Sequence, residues 1–141
     1  QDCSALIVNG NLIVQGDVIN WSLNQGLALL VLRNLNANSL YKGGSAVLVR
    51  GVLGLSEILV AEYNDGRILV AGDLKVPTLF NLDHDLGVEG KTEAAVFSWD
   101  EMDLGGLVSE SAQDPDGEVS ALSIYWAIKA GQPVFREPSQ E

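Results

Sequence analysis

The chain has 141 residues, 47% hydrophobic and 19% charged, with fifteen glycines and four prolines, the size and composition of one globular domain. Nineteen acidic against eight basic side chains leave a net charge of −11, the wrong sign for phosphate backbones or anionic lipid, so neither nucleic acid nor a membrane is an expected partner. A single cysteine, Cys3, excludes an internal disulfide and a cysteine-rich zinc centre, and no apolar run approaches the roughly 20 residues of a membrane span, so the expected location is the cytoplasm.

From the N-terminus, a half-copy Leu6-Ile7-Val8-Asn9-Gly10-Asn11 precedes five segments that align without gaps: Leu12–Val18, Leu29–Leu35, Val47–Leu53, Ile68–Leu74 and Leu86–Thr92. Their starts lie 17, 18, 21 and 18 residues apart. The third position is always Val (Val14, Val31, Val49, Val70, Val88), and the fifth is Gly in four copies (Gly16, Gly51, Gly72, Gly90), with Arg33 the exception. Val18, Leu35, Leu53 and Leu74 make the seventh position aliphatic, and further apolar residues recur eleven and twelve residues after each start, such as Leu40, Leu59, Leu79 and Phe97. A period near 18 is too short for a helical hairpin repeat and fits one coil of a parallel β-solenoid. Gly tolerates positive φ and Asp or Asn can bond neighbouring backbone, so Gly-Asp and Gly-Asn predict the corners. The aliphatic positions between them predict inward-facing stacks with a strand spacing of about 4.8 Å.

The second repeat position points outward by strand alternation, yet holds Ile13, Leu30, Leu48 and Leu69. Such a stripe needs a cover. After the coils, Asp114-Pro115-Asp116-Gly117 reads as a helix entry, and Val119 to Ala130 predicts an amphipathic helix with Val119, Leu122, Trp126 and Lys129 on one face, widened by Ile124, Ala127 and Ile128. Gly131 and Pro133 stop it. This helix is the expected cover, and the rival is a second copy of the chain, in a homodimer or filament. The resulting organisation is all-β: a short single-stranded β-solenoid of about five coils over residues 1–98, an acidic loop segment over 99–118, and a C-terminal α-helix with its tail over 119–141, packed on the solenoid.

Asn-Gly-Asn-Leu-Ile-Val-Gln-Gly-Asp-Val (9–18) and Arg-Ile-Leu-Val-Ala-Gly-Asp-Leu-Lys-Val (67–76) resemble the Gly-Asp-Leu repeats of bacterial polymer-forming β-helix proteins, the bactofilin group. Related bacterial repeat proteins follow such coils with a tail similar to Ala-Gly-Gln-Pro-Val-Phe-Arg (130–136). The resemblance covers residues 5–98. It implies a compact parallel β-helix, right-handed in bactofilins, with a role in assembly and not in catalysis. The small number of coils, the acidic stretch and the terminal helix depart from that family, and would cap a stack against end-to-end polymerisation.

Charge is concentrated late in the chain. Residues 1–82 balance at −1 and residues 119–141 are neutral, whereas 83–118 carry eleven acids against Lys91 alone. That block reads as a solvated loop, as a docking surface for a basic protein, or as a divalent-cation site. Within it, Asp83-His84-Asp85 is the one place where a histidine meets two carboxylates, a candidate metal half-site or acid/base pair if the turn lets all three converge. Tyr63, Asp65 and Arg67 lie in the 21-residue coil, whose extra residues would bulge beside that turn as a ligand loop. Asp100, Glu101 and Asp103 complete the list of candidate partner-binding residues. No catalytic residue and no cofactor is called for, and the residues leave open whether a metal binds. Three functions compete: a non-catalytic interaction module presenting its acidic surface to a basic partner, in the manner of an immunity protein or antitoxin; a self-assembling scaffold; and a carbohydrate-active or metal-dependent β-helix enzyme.

Overall fold

The coordinates are a computed structural model and describe residues 5–20, 27–62, 66–82, 84–98, 109, 113 and 120–132. Two parallel sheets are wound by the chain in alternation. One, here sheet A, takes β1 (Ala5–Val8), β4 (Ala28–Val31), β6 (Ala46–Val49), β8 (Arg67–Val70) and β10 (Asp85–Val88), stacked in that order. The other, sheet B, takes β2 (Leu12–Ile13) and β3 (Asp17–Ile19), both paired with β5 (Leu35–Lys42), then β7 (Leu53–Glu62), β9 (Leu74–Leu82) and β11 (Thr92–Ser98). The fold is the expected β-solenoid. Its five rungs amount to about four turns between β1 and β10, slightly fewer than the five coils counted along the sequence.

The stacking explains the repeat. Leu29, Val47, Ile68 and Leu86 are aligned in adjacent strands, as are Val31, Val49, Val70 and Val88. Together with Leu35, Leu53, Leu74, Leu40, Leu59 and Leu79 they fill the interior. The first repeat is out of phase with its expected position. Leu6 and Val8, from the half-copy, sit beside Leu29 and Val31, while Leu12 and Ile13 lie on sheet B beside Leu35 and Asn36. Corner bonding sets this phase: Arg33 N–H donates to the Gly10 carbonyl at 3.1 Å, and Asn34 N–H to Asn11 Oδ1 at 3.0 Å. The outward stripe is therefore Ile7, Leu30, Leu48 and Leu69, with Gly87 on the last rung.

The corner side chains do what was expected of them, for an additional reason. Asn34 Oδ1 accepts from Val52 N–H at 2.8 Å and Asp73 Oδ1 from Lys91 N–H at 2.9 Å, each linking one coil to the next. The glycines beside them do not have positive φ. A Cβ on Gly72 would stand 2.5 Å from the Gly51 carbonyl oxygen, and one on Gly90 would stand 2.6 Å from that of Gly72. Those same carbonyls accept the Gly72 and Gly90 N–H groups at 2.9 and 3.0 Å. At Gly72 and Gly90 a side chain is excluded because consecutive corners touch, whereas in the same column Gly10 has φ +138° with open space around it and Arg33 carries a side chain.

The C-terminal helix, α1 (Ala121–Lys129), is shorter at its start than expected. Ser120 caps it reciprocally with Ser123. Gly131, at φ +71°, closes it with Gly131 N–H to Ile128 O and Gln132 N–H to Ala127 O, a Schellman ending. Its buried face is Ile124, Tyr125 and Ala127 with Ile128 alongside, whereas Leu122 and Trp126 are 43% and 55% exposed. The expected face is thus rotated. So is the expected destination: α1 covers Tyr41, Ile58, Val60 and Phe80 on the outside of sheet B and leaves the sheet A stripe open, with Ile7 61% and Leu69 40% exposed. No helix among the described residues is long and apolar enough to cross a membrane.

Candidate functional site

The turn from sheet B back to sheet A, where the candidate residues were expected, is built on a buried polar corner. Alternation along β5 sends Leu40 inward, Tyr41 outward under α1, and Lys42 inward again. Lys42 is fully buried; its Nζ donates to the Gly43 carbonyl at 2.7 Å and to the Ser45 carbonyl. Asn20 Nδ2 donates to Ser45 Oγ from the coil before. Burial pulls the Lys42 ammonium down to about 8 from an ordinary 10.5. One rung on, Gly66 is wedged between the Gly43 carbonyl and the His84 ring, with no room for a side chain. His84 Nδ1 donates to the Glu62 carbonyl at 3.0 Å, and Asn81 Oδ1 accepts the His84 N–H at 2.9 Å. Burial raises the Glu62 carboxyl above its usual range. It also raises Tyr41, whose hydroxyl is bonded to Glu62 and held further up by that charge.

Here the structure separates residues that the sequence places side by side. His84 is buried against the Glu62 carbonyl, inside the turn. Asp85 begins β10 and points outward, where its carboxylate pairs with Arg67 at 2.8 Å. Arg67 and Asp85 are cross-strand neighbours on adjacent rungs, about half exposed, and such a pair contributes at most about 1 kcal/mol. His84 and Asp85 therefore do not share a face as a metal half-site or an acid/base pair. Among the described residues, no group of three His, Cys, Asp or Glu side chains is positioned to hold a metal. Tyr63, Asp65, Asp83, Asp100, Glu101 and Asp103 lie outside the described residues. Of the acidic block, Asp85, Glu89 and Glu93 are described, and all three are exposed on the last rung beside the exposed Lys91.

Sequence reasoning missed a second polar cluster, at the seat of α1. Tyr125 Oη donates to Asp17 Oδ2 at 2.6 Å, Lys129 Nζ to Asp17 at 3.0 Å and to Glu57 at 2.8 Å, and Ser39 Oγ to Glu57 at 3.2 Å. Burial first, then the bond to the Asp17 carboxylate, pushes the Tyr125 phenol up to about 12. The Glu57 bond holds Lys129 above its ordinary value. Partners more than 100 residues apart leave no local signal. Tyr125 also meets Tyr41 edge-on, with ring centroids 5.4 Å apart, so this cluster anchors the helix and presents little of itself to a ligand.

Fold and site together define a short parallel β-solenoid with a helix docked on one sheet and an acidic final rung. Comparison with known proteins finds no matching family model, no similar curated protein and no similar solved structure.

Proposed function

We propose that the protein is a non-catalytic interaction module, a rigid solenoid that presents acidic groups at the end of its last coil to a basic protein partner. The observation that carries this reading is the exposure of Asp85, Glu89 and Glu93 on the final rung of a scaffold whose first 82 residues are nearly neutral. These side chains open the stretch that continues through Asp100, Glu101 and Asp103. A predominantly acidic surface on a preformed scaffold steers an oppositely charged partner and costs little ordering on contact. Occlusion of a basic enzyme, as by an immunity protein or antitoxin, is the concrete form of the proposal. The resemblance to assembly-forming β-helices supports a binding role over a catalytic one, as does the burial of His84 away from Asp85.

The test is affinity capture at low and high salt with the wild-type chain and with a variant carrying Glu89→Gln, Glu93→Gln, Asp100→Asn, Glu101→Gln and Asp103→Asn. A basic protein retained at low salt by the wild type and lost from the variant is the expected result. Recovery of the same proteins by both, with the variant folded by circular dichroism, overturns it.

A further inference from the structure

Of the nine asparagines in the chain, Asn9 alone is followed by glycine. It opens the corner between β1 and β2. At the equivalent corners of later coils the residue before the glycine is Arg50, Ala71 or Glu89. Asn9 is exposed, and its side-chain amide makes no hydrogen bond among the described residues. By contrast, Asn11 and Asn34 each accept a backbone N–H with Oδ1, at 3.0 and 2.8 Å. The residues after those two are also held, since Leu12 N–H donates to Asn34 O at 2.9 Å and Leu35 N–H to Val52 O at 3.0 Å. Gly10 N–H has only the Val8 carbonyl two residues back, at 3.1 Å, and Leu32 N–H shares that oxygen at 3.0 Å. Gly10 takes φ +138°, and a Cβ placed on it would meet nothing within 4 Å, so its nitrogen is unshielded and the corner has room to bend.

We propose that Asn9 is a site of spontaneous deamidation, and that its isoaspartyl product unpins the first coil. The Gly10 amide nitrogen gives up its proton to solvent and attacks Asn9 Cγ. A C–N bond forms, the side-chain nitrogen leaves as ammonia, and a succinimide ring closes. The two reacting groups belong to neighbouring residues and meet without loss of translational freedom. Water then opens the ring on one of two sides. Cleavage between Cγ and the Gly10 nitrogen leaves an ordinary aspartate. Cleavage between the Asn9 carbonyl carbon and that nitrogen leaves the main chain running through Cβ and Cγ, with the former carbonyl as a free carboxylate. In sum, an amide and a water become a carboxylate and an ammonium ion, and water is the only co-reactant.

The consequence lies in what flanks the corner. Before it, the Val8 carbonyl holds Leu32 N–H; after it, Arg33 N–H donates to Gly10 O at 3.1 Å, Asn34 N–H to Asn11 Oδ1, and Leu12 N–H to Asn34 O. The isoaspartyl linkage inserts one carbon into the main chain between these two sets of bonds, so both cannot keep register with the second coil. An ordinary aspartate leaves the path of the chain unchanged. The second coil is held by the third as well, so the loss stays at the first, a local opening and not a global one.

The test is to hold the folded chain at neutral and at mildly alkaline pH, cleave it after Arg33 and locate the amide-to-acid mass gain by fragmentation. The expected result is a gain at Asn9, faster at the higher pH and partly isoaspartyl, with Asn11 and Asn20 unchanged. Asn9→Gln, which closes a larger ring and removes no hydrogen bond, should slow it at least about tenfold. Amide hydrogen exchange of the aged chain should show lost protection at Leu12, Arg33 and Asn34 and none at Leu53 or Leu74, while aged Asn9→Gln stays as it began. If Asn9 survives in the folded chain for the time in which it is fully converted in the chain unfolded by guanidinium, the site is overturned. An isoaspartyl product with protection unchanged at Leu12, Arg33 and Asn34 overturns the unpinning.

Discussion

Gly72→Ala is expected to destabilise the solenoid strongly, and Gly54→Ala hardly at all. Both glycines lie against the preceding coil, and a Cβ would be too close in each case: 2.5 Å from the Gly51 carbonyl oxygen for Gly72, and 2.6 Å from Asn36 Oδ1 for Gly54. What must move differs. At Gly72 the obstacle is the backbone oxygen that accepts the Gly72 N–H at 2.9 Å, so the methyl group separates the two corners and weakens their hydrogen bond. Loss of one such bond costs about 1 kcal/mol and overpacking adds about 1–3 kcal/mol, for a total of about 2–4 kcal/mol. At Gly54 the obstacle is the end of an exposed side chain that can rotate away, and Ala recovers part of the entropy that Gly loses in a strand, leaving a change of about 0.5 kcal/mol or less. Equilibrium urea unfolding of both variants measures the difference. Gly72→Asn separates the two accounts of the corner: a left-handed φ would favour Asn over Ala, whereas close approach makes Asn no better. Equal stabilities for Gly72→Ala and Gly54→Ala, or rescue by Asn, would refute the reasoning.

Three further outcomes follow from the buried polar groups and the helix. Lys42 has a folded pKa of about 8 against 10.5 when free, so the unfolded chain binds more protons between those values and stability rises with pH across the window, by on the order of 2 kcal/mol after screening; Lys42→Met should abolish that rise in urea titrations at pH 7.5 and 10. Tyr125 is shifted the other way, up to about 12, and its contribution is complete below pH 10 and lost as pH climbs toward 12. Tyr125→Phe should cost about 1.5–3 kcal/mol, and a double-mutant cycle with Lys129→Met should be non-additive because both side chains bond Asp17. Ile124→Ala should cost about 2–4 kcal/mol, whereas Trp126→Ser, which loses the edge-on contact with the Tyr125 ring, should cost less, about 1 kcal/mol, an ordering visible in thermal melts and opposite to the one that the helical periodicity of Leu122 and Trp126 predicts.

Local chemistry made the coils legible. Val31, Val49, Val70 and Val88 stack because each coil repeats the same contacts with its neighbour, and identical contacts select similar residues. The phase of the first coil was not legible, since Leu12-Ile13-Val14 matches the repeat as well as Leu6-Ile7-Val8 does, and only the bonds from Asn34 and Arg33 back to Asn11 and Gly10 decide between them. The helix face was misjudged for a related reason. Periodicity marks which residues are apolar and not which partner they meet, and the docking of α1 is decided by Tyr125 and Lys129 reaching Asp17, over 100 residues away. At the candidate site, the alternation of side chains through the turn sends His84 inward and Asp85 outward, and nothing in the local sequence marks Lys42 as buried before the inward column of β5 is known.

The two ends of the stack differ in a way that bears on the proposed function. Any parallel β-solenoid ends in strand edges on which another coil can grow. The first rung is apolar, with Leu6, Ile7, Ile13 and Ile19 exposed, and the last carries Asp85, Glu89 and Glu93. Continuing the register head to tail would set Glu93 over Ile13, Asp85 over Ala5 and Glu89 over Asn9. Within the protein, Glu93 lies beside Lys75 and Asp85 beside Arg67 on the next rung; an added copy would offer neither acid a new basic neighbour. Partial desolvation of three carboxylates without new partners opposes the contact. The acids of the last rung thus discourage growth along the axis. A variant with Asp85→Ala, Glu89→Leu and Glu93→Val removes that barrier, and should self-associate in sedimentation at high salt, where the wild type should not.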